Sequence, residues 1–527
     1  MRSGKIRGPI VGTLVAVAAS LLWVPSPALA DADGCENGFE SDFNGDGFSD
    51  TVVADPYATV NGHAQAGRVI VLYGDADGRI GEGATRDTLS QDSPGVGSVA
   101  EANDRFGFAL AVADLNCDEF TDLVVGTPYE NNGAQVNSGY VQIIWGSAAG
   151  LGAGPASRNI DQETFPNADI TAGDHFGYAV DAREDVGQGG TPEPDAYAVA
   201  IGVPGGNIGG HNDAGWVGVL HAFDGENVET AISQNSTGVP GSAEAGDRFG
   251  AAVSINHFLS IPAGEPRFEI DVVVGAPNED VGSKADAGSV TVVKDVYFDE
   301  FPGSVSFSQD SPGVPGAAEA GDRFGRSLDT VRVGNTTRLA VGVPGEDVGS
   351  ATNAGLVQLF SSNNVTITPG TALTQNTAGV SGTAEAGDLF GDRVAWAAPG
   401  LVDTATRLAV SIPSEDGAAV NQGQVQVFPM SNLGAETTYA QDSPGVPGAV
   451  SAGDKFGASL AFVGGASERA LIIGVPDDVD RNLGMVNVIP LGGGAPRFWA
   501  PGVDGVPLGG ASRFGDALAS VHGGSSD

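Results

Sequence analysis

Short apolar runs punctuated by glycine and proline, without helical periodicity, set the pattern along this chain. One near-continuous apolar run recurs seven times, as VVADP ending at Pro56, VVGTP at Pro128, VAIGVP at Pro204, VVVGAP at Pro277, AVGVP at Pro344, AVSIP at Pro413 and IIGVP at Pro476. Runs of this length, rich in β-branched residues, predict strands buried on both faces, and proline stops them because it has no N–H for a ladder. A second strand follows each, opening at Gly67, Gly139, Gly215, Gly288, Gly355, Gly423 and Gly484 and alternating as in GYVQIIWG, the pattern of a half-buried strand. A third kind begins at a Phe-Gly pair, as in FGFALAVA from Phe106, and a weaker stretch such as SRNIDQE supplies a fourth.

The Phe-Gly pairs set the period. They stand as DRFG at Asp104, DHFG at Asp174, DRFG at Asp247, DRFG at Asp322, DLFG at Asp388, DKFG at Asp454 and SRFG at Ser512. A unit of about 70 residues that yields four strands is too small to be a domain alone, and seven of them predict an all-β, seven-bladed β-propeller of four-stranded blades. The first buried strand, ending at Pro56, has no Phe-Gly strand before it, and the last Phe-Gly strand, from Phe514, has no buried strand after it. The ring is therefore expected to close by placing N- and C-terminal strands in one blade.

Phe249-Gly250 followed by Gly275-Ala276-Pro277, with an acidic loop between, resembles the FG-GAP repeat of integrin α-subunit propellers, and the resemblance covers essentially all of the expected mature chain, from about Gly38 to Gly515. It implies a propeller with calcium-binding β-hairpin loops and an extracellular binding role. The loops have candidates. Asp42, Asn44, Asp46, Phe48 and Asp50 stand at positions 1, 3, 5, 7 and 9 of an acidic stretch with Gly47 at its turn. Oxygen donors at this spacing, including a Phe48 backbone carbonyl, suit Ca²⁺. Asp114, Asn116, Asp118, Phe120 and Asp122 repeat the pattern with Glu119 in place of the turn glycine. Two calcium ions near the N-terminus are expected. The aspartate before each Phe-Gly is read as a turn-closing acceptor, and His63, His175 and His211 as repeat variation.

Charge and end segments then narrow the setting. The 24 basic residues face 66 acidic ones, for a net charge of -42, which argues against nucleic acid as a partner. Arg2, Lys5 and Arg7 precede an apolar run from Ile10 to Val24 and the small-residue site Ala28-Leu29-Ala30, so residues 1–30 read as a signal peptide and the protein as secreted, with no transmembrane segment. Cys35 and Cys117, the two cysteines, are expected to pair in an oxidising compartment. HExxH, GxSxG, CxxC and P-loop patterns are absent, so catalysis has no motif support. The favoured expectation is a calcium-binding extracellular adhesion module for a protein or cell-surface polysaccharide. A secreted hydrolase or lyase on a polysaccharide or phosphodiester, with calcium assistance, is the alternative, and a structural coat protein a third reading.

Overall fold

The computed structural model describes residues 41–519 apart from 78, 84, 167–169, 185–196, 224–225, 260–269, 298–299, 400–404, 465–467, 481–482, 504, 509 and 511. The expected signal segment and Cys35 lie outside the described residues. Within them stand seven antiparallel sheets, six of four strands and one of three. In the three-stranded sheet, Thr51–Asp55 (β1) pairs with Arg68–Leu72 (β2), and β2 with Arg86–Leu89 (β3). The chain's end supplies the missing edge: Ala54 N–H donates to Ala517 O (3.0 Å), Gly515 N–H donates to Ala54 O (2.9 Å), and Val53 bridges Leu518. The ring closes in this first blade, as the unmatched strands at the two ends require. The second blade, Ala109–Ala113 (β4), Asp122–Thr127 (β5), Tyr140–Ile144 (β6) and Arg158–Ile160 (β7), is typical of the rest.

The proline-terminated runs are buried along their whole length, as in β1 and β5. Several fourth strands are only three residues long and partly exposed, which limits the unpaired edge those blades offer to other chains, whereas Glu226–Ile232 and Ile367–Leu373 run to seven residues.

There is no single central core. Seven hydrophobic clusters each draw from two neighbouring blades, and each contains one phenylalanine of a Phe-Gly pair: Phe106, Phe176, Phe249, Phe324, Phe390, Phe456 or Phe514. All seven rings are fully buried.

The Phe-Gly pair itself is a turn, where the sequence pattern suggested the start of a strand. Arg326 N–H donates to Arg323 O at 3.0 Å across Phe324 and Gly325, and Gly325 has φ +89°. That is a type II turn, whose third residue needs a positive φ that glycine adopts without steric cost. The turn is stitched to the preceding blade, since Phe324 N–H donates to Ala287 O at 2.9 Å. At the adjoining Gly288, a Cβ would lie 2.3 Å from Phe324 O, so the glycine opening the half-buried strand is the condition for blades to meet backbone to backbone.

Candidate functional site

The two acidic loops do come together. Asp42 N–H donates to Thr121 Oγ1 (3.0 Å), Thr121 N–H to Asp42 O (2.9 Å) and Ser147 N–H to Phe43 O (3.1 Å). Their carboxylates, however, face their own backbone. Asp42 accepts from Gly45 N (2.7 Å), Asp46 N (3.2 Å) and Gly47 N (2.8 Å), and Asp50 from Phe43 N and Gly74 N, both at 2.8 Å. Asn44 Nδ2 donates to Asp46 Oδ2 (3.1 Å), and Phe48 N–H to Asp46 Oδ1 (2.9 Å). The second loop repeats this. Asp114 accepts from Asp118 N and Glu119 N, Asp122 from Leu115 N and Gly146 N, Asn116 donates to Asp118, and Phe120 N–H to Asp118 Oδ1. Glu119 takes the turn glycine's left-handed conformation, with φ 71°.

No group of three or more His, Cys, Asp or Glu side chains able to hold a metal occurs among the described residues. The calcium expectation at both loops, and the metal-binding character drawn from it, is therefore corrected: oxygens expected as ligands are spent as hydrogen-bond acceptors that shape the loops. Cys117 is disulfide-bonded and no cysteine is free among the described residues; Cys35, its expected partner, lies outside them.

A different constellation surrounds the axis. The type II turn places the residue before phenylalanine and the residue after glycine on either side of it, at the mouth of the inner strands. In blade order from the second, the preceding residues are Arg105, His175, Arg248, Arg323, Leu389 and Lys455, with Arg513 in the closing blade. The first six are left-handed, with φ between 56° and 62°, a conformation that costs an L-residue on the order of 1 kcal/mol. The following residues include Phe108, Tyr178, Arg326, Asp392 and Asp516, and the residues after the strand-ending prolines add Tyr57, Tyr129 and Asp477. Groups two blades apart act on each other here: Tyr178 on Arg326, Arg248 on Tyr129, and Arg393 on Asp516. Only at the axis of a seven-bladed ring can they do so.

The mouth has three arcs. Around blades 1 to 3 it is aromatic. The Arg105 guanidinium lies between Tyr57 and Tyr129, 4.7 and 4.3 Å from the ring centroids, a cation–π sandwich that fixes it. Phe108 packs on Tyr129 (5.6 Å) and Tyr178 (5.1 Å), and Tyr129 meets His175 edge-on at 5.0 Å. Around blades 6, 7 and 1 the charges are paired: Arg393 with Asp392 (3.0 Å), Lys455 with Asp477 (3.1 Å), and Arg513 with Asp477 (3.0 Å) and Asp516 (3.3 Å).

Between these arcs, Arg248, Arg323 and Arg326 make no ion pair among the described residues, nor does Arg105, whose Nε is buried without a hydrogen-bond partner. Arg393 alongside, and burial, lower Arg326 from its ordinary value, as crowded positive charge does. Burial first, and then the Arg248 guanidinium, hold His175 below the ordinary imidazole value, so it is neutral at pH 7. Convergent guanidinium groups of this kind recognise phosphate or carboxylate.

Residues 106–144 match the FG-GAP repeat. The chain is partly similar to phosphatidylinositol-glycan-specific phospholipase D of Rattus norvegicus, 34% identical over 128 residues, which is 24% of this chain and 15% of that protein. The human phospholipase D of the same name is 30% identical over 169 residues, or 32% of this chain and 18% of that one. Integrin alpha pat-2 of Caenorhabditis elegans is 30% identical over 168 residues, covering 29% and 12% of the respective chains. The chain thus spans under a fifth of these relatives' lengths. Among solved structures, an α-L-arabinofuranosidase of Fusarium graminearum aligns over 73% of this chain and 92% of its own, at 9% identity and a TM-score of 0.40, too distant to bear on function. With no metal group among the described residues, and phospholipase D relatives matching at least as well as integrins, the expectation of a calcium-binding adhesion module is overturned.

Proposed function

We propose that the chain is an exported hydrolase that acts on a phosphodiester at the axial mouth. The observation that carries this reading is three arginines outside any ion pair among the described residues, Arg248, Arg323 and Arg326, beside a half-buried histidine held below the ordinary imidazole value in a protein of net charge -42. The phospholipase D names of the partial relatives support the substrate class.

In this reading Arg248, with Arg323 or Arg326, holds the non-bridging oxygens and offsets the charge that grows on them as the reaction proceeds. His175 takes a proton from water as its oxygen bonds to phosphorus, and returns it to the alkoxide oxygen as the P–O bond breaks. One water is consumed, and a phosphomonoester and an alcohol are released. Tyr129 orients the imidazole edge.

A chromogenic phosphodiester tests it directly. Wild type is expected to release nitrophenol from bis(p-nitrophenyl) phosphate, with His175→Gln lowering kcat by roughly 100-fold and Arg248→Ala lowering kcat/KM. A wild-type protein that releases nothing above buffer, or a His175→Gln variant with full turnover, overturns the reading.

A further inference from the structure

The mouth is not uniform, and its division bears on what the substrate carries besides phosphate. Phe108 and Tyr178 are each half-exposed and lie 5.1 Å apart with their rings inclined by 46°, forming a shallow apolar corner. Arg105 is already committed between Tyr57 and Tyr129, so the charge available next to that corner comes from the other side, from exposed Arg248 and Arg323 and from Arg326. Tyr178 and Arg326 are close enough to influence each other. His175 lies where the two arcs join, with Tyr129 on one side and Arg248 on the other.

An inorganic anion would use only the arginines. A long apolar chain would need more than one aromatic corner, and the arc opposite is filled by ion pairs. What fits both arcs is a compact ring whose C–H face lies on aromatic carbon and whose substituent is a phosphate. A saturated sugar or polyol ring has that face, and aromatic rings, with their negative faces, receive its polarised C–H groups.

We propose that the axial mouth binds a phosphorylated sugar or polyol ring in two subsites, the ring on Phe108 and Tyr178 and the phosphate on Arg248, Arg323 and Arg326. This rests on the reading of the mouth as the phosphodiester site. It adds that the alcohol side of the ester is a ring, and it places the ester oxygen at His175, between the subsites. Tyr178 is then a specificity residue for the ring, and Arg323 a residue for phosphate whatever carries it.

Binding, measured by calorimetry on the full chain without turnover, separates this from the hydrolase reading. The probes are glucose 1-phosphate, inorganic phosphate and glucose. Glucose 1-phosphate is expected to bind at least tenfold tighter than either of the others. Arg323→Ala should weaken glucose 1-phosphate and phosphate alike, by roughly tenfold. Tyr178→Ala should bring glucose 1-phosphate down to the affinity of phosphate, and Tyr178→Phe, which keeps the ring, should restore it. Arg79→Ala removes an exposed arginine paired with Asp75 outside the mouth and should change nothing. Equal affinity for phosphate and glucose 1-phosphate overturns the two-subsite proposal, as does an Arg79→Ala loss equal to that of Arg323→Ala. Thermal unfolding of each variant shows whether a loss is one of folding, and Tyr178→Phe decides the ring subsite if Tyr178→Ala does not fold. Tight binding of glucose 1-phosphate together with no phosphodiester turnover would end the hydrolase reading alone.

Discussion

A methyl group added at Gly288 would sit 2.3 Å from the carbonyl oxygen of Phe324 and 2.5 Å from its nitrogen, in a backbone with φ +85°. The nitrogen cannot move without breaking its hydrogen bond to Ala287 O, which joins the two blades. Gly246 has a similar φ, +94°, but nothing within 4 Å of its Cβ position. The pair separates conformational strain from the close approach. Gly246→Ala is expected to cost about 1 kcal/mol, and Gly288→Ala roughly 2 kcal/mol or more, because the neighbouring blade must also shift. Chemical unfolding of both variants checks this, and equal losses would show that the blade contact yields without cost.

The same scale explains what the chain's pattern conceals. The buried phenylalanine, the turn glycine and the strand-opening glycine each meet a demand that one residue type satisfies, so they recur and can be read. The mouth is built from the positions between them. The residue before phenylalanine changes from Arg105 to His175, Arg248, Arg323, Leu389, Lys455 and Arg513, which along the chain reads as variation within a repeat. Only closure of the ring turns seven unlike positions into one surface. The acidic loops failed in the opposite direction: their spacing was plain, but spacing does not tell which way a carboxylate oxygen points, and at Asp42 and Asp50 the backbone N–H groups take it.

At the scale of elements, neighbouring blades share a clamp made from the long turn of one and the loop after the buried strand of the next. Gln91 donates to Glu130, Gln234 to Glu279 (2.5 Å), Gln309 to Glu346 (2.6 Å) and Gln375 to Glu415 (2.6 Å). Burial pushes Glu130, Glu279 and Glu415 up to about 7 and raises Glu346. Carboxylates face them from every side: Asp104 and Glu101 at the first clamp, Asp247, Glu244 and Asp280 at the second, Glu319 and Asp347 at the third, and Asp388, Glu385 and Asp416 at the fourth.

A carboxyl whose folded-state pKa lies above its unfolded value adds stability that is complete below the unfolded value and lost as pH rises through the folded one. The clamps should therefore contribute fully near pH 4 and lose their contribution by pH 8. With solvent reaching each glutamate, the effect is on the order of 1 kcal/mol per clamp. Replacing Glu279 and Glu415 with glutamine, which imitates the neutral acid, should flatten the fall in Tm between pH 5 and pH 8. A double variant with the wild-type slope would place the pH dependence elsewhere.

For the whole molecule, the seven Lys and Arg side chains of the mouth belong to a chain with 24 in all against 66 acidic residues. A positive spot on a strongly negative body draws an anionic ligand only at short range, so added salt has two opposed effects. It screens the arginines, and it also screens the repulsion from the surrounding acidic surface. The long-range repulsion is screened first, so affinity for a phosphate ester should rise from very low salt towards about 0.1 M and fall beyond it. A titration series in NaCl measures this, and a monotonic fall would mean that the acidic body does not act at the mouth.

Closure holds that mouth together. If seven blades are to keep residues two blades apart within reach, the ring must not open, and its only seam between chain ends is the first blade. There Asp55, fully buried, accepts from Arg68 (3.1 Å), from Ser512 Oγ (2.6 Å) and from the Arg513 backbone (3.0 Å). Phe514 fills the cluster of Val53, Ile70, Ile472 and Val486 between blades 7 and 1. Ending the chain after Arg513 removes that ring and the hydrogen bonds of Gly515 and Ala517 to Ala54, exposing the edge of β1. Burial of a phenylalanine alone is worth about 3 kcal/mol or more, and the seam has no other strand to replace the lost one. The truncated protein is expected to melt well below the full chain, to enlarge its hydrodynamic radius, and to lose phosphate-ester binding even though Arg248, Arg323 and Arg326 are intact. Unchanged melting would show that the seam is held elsewhere. Lowered melting with binding retained would show that the basic arc is set by blades 4 and 5 alone, and the mouth would no longer depend on the closed ring.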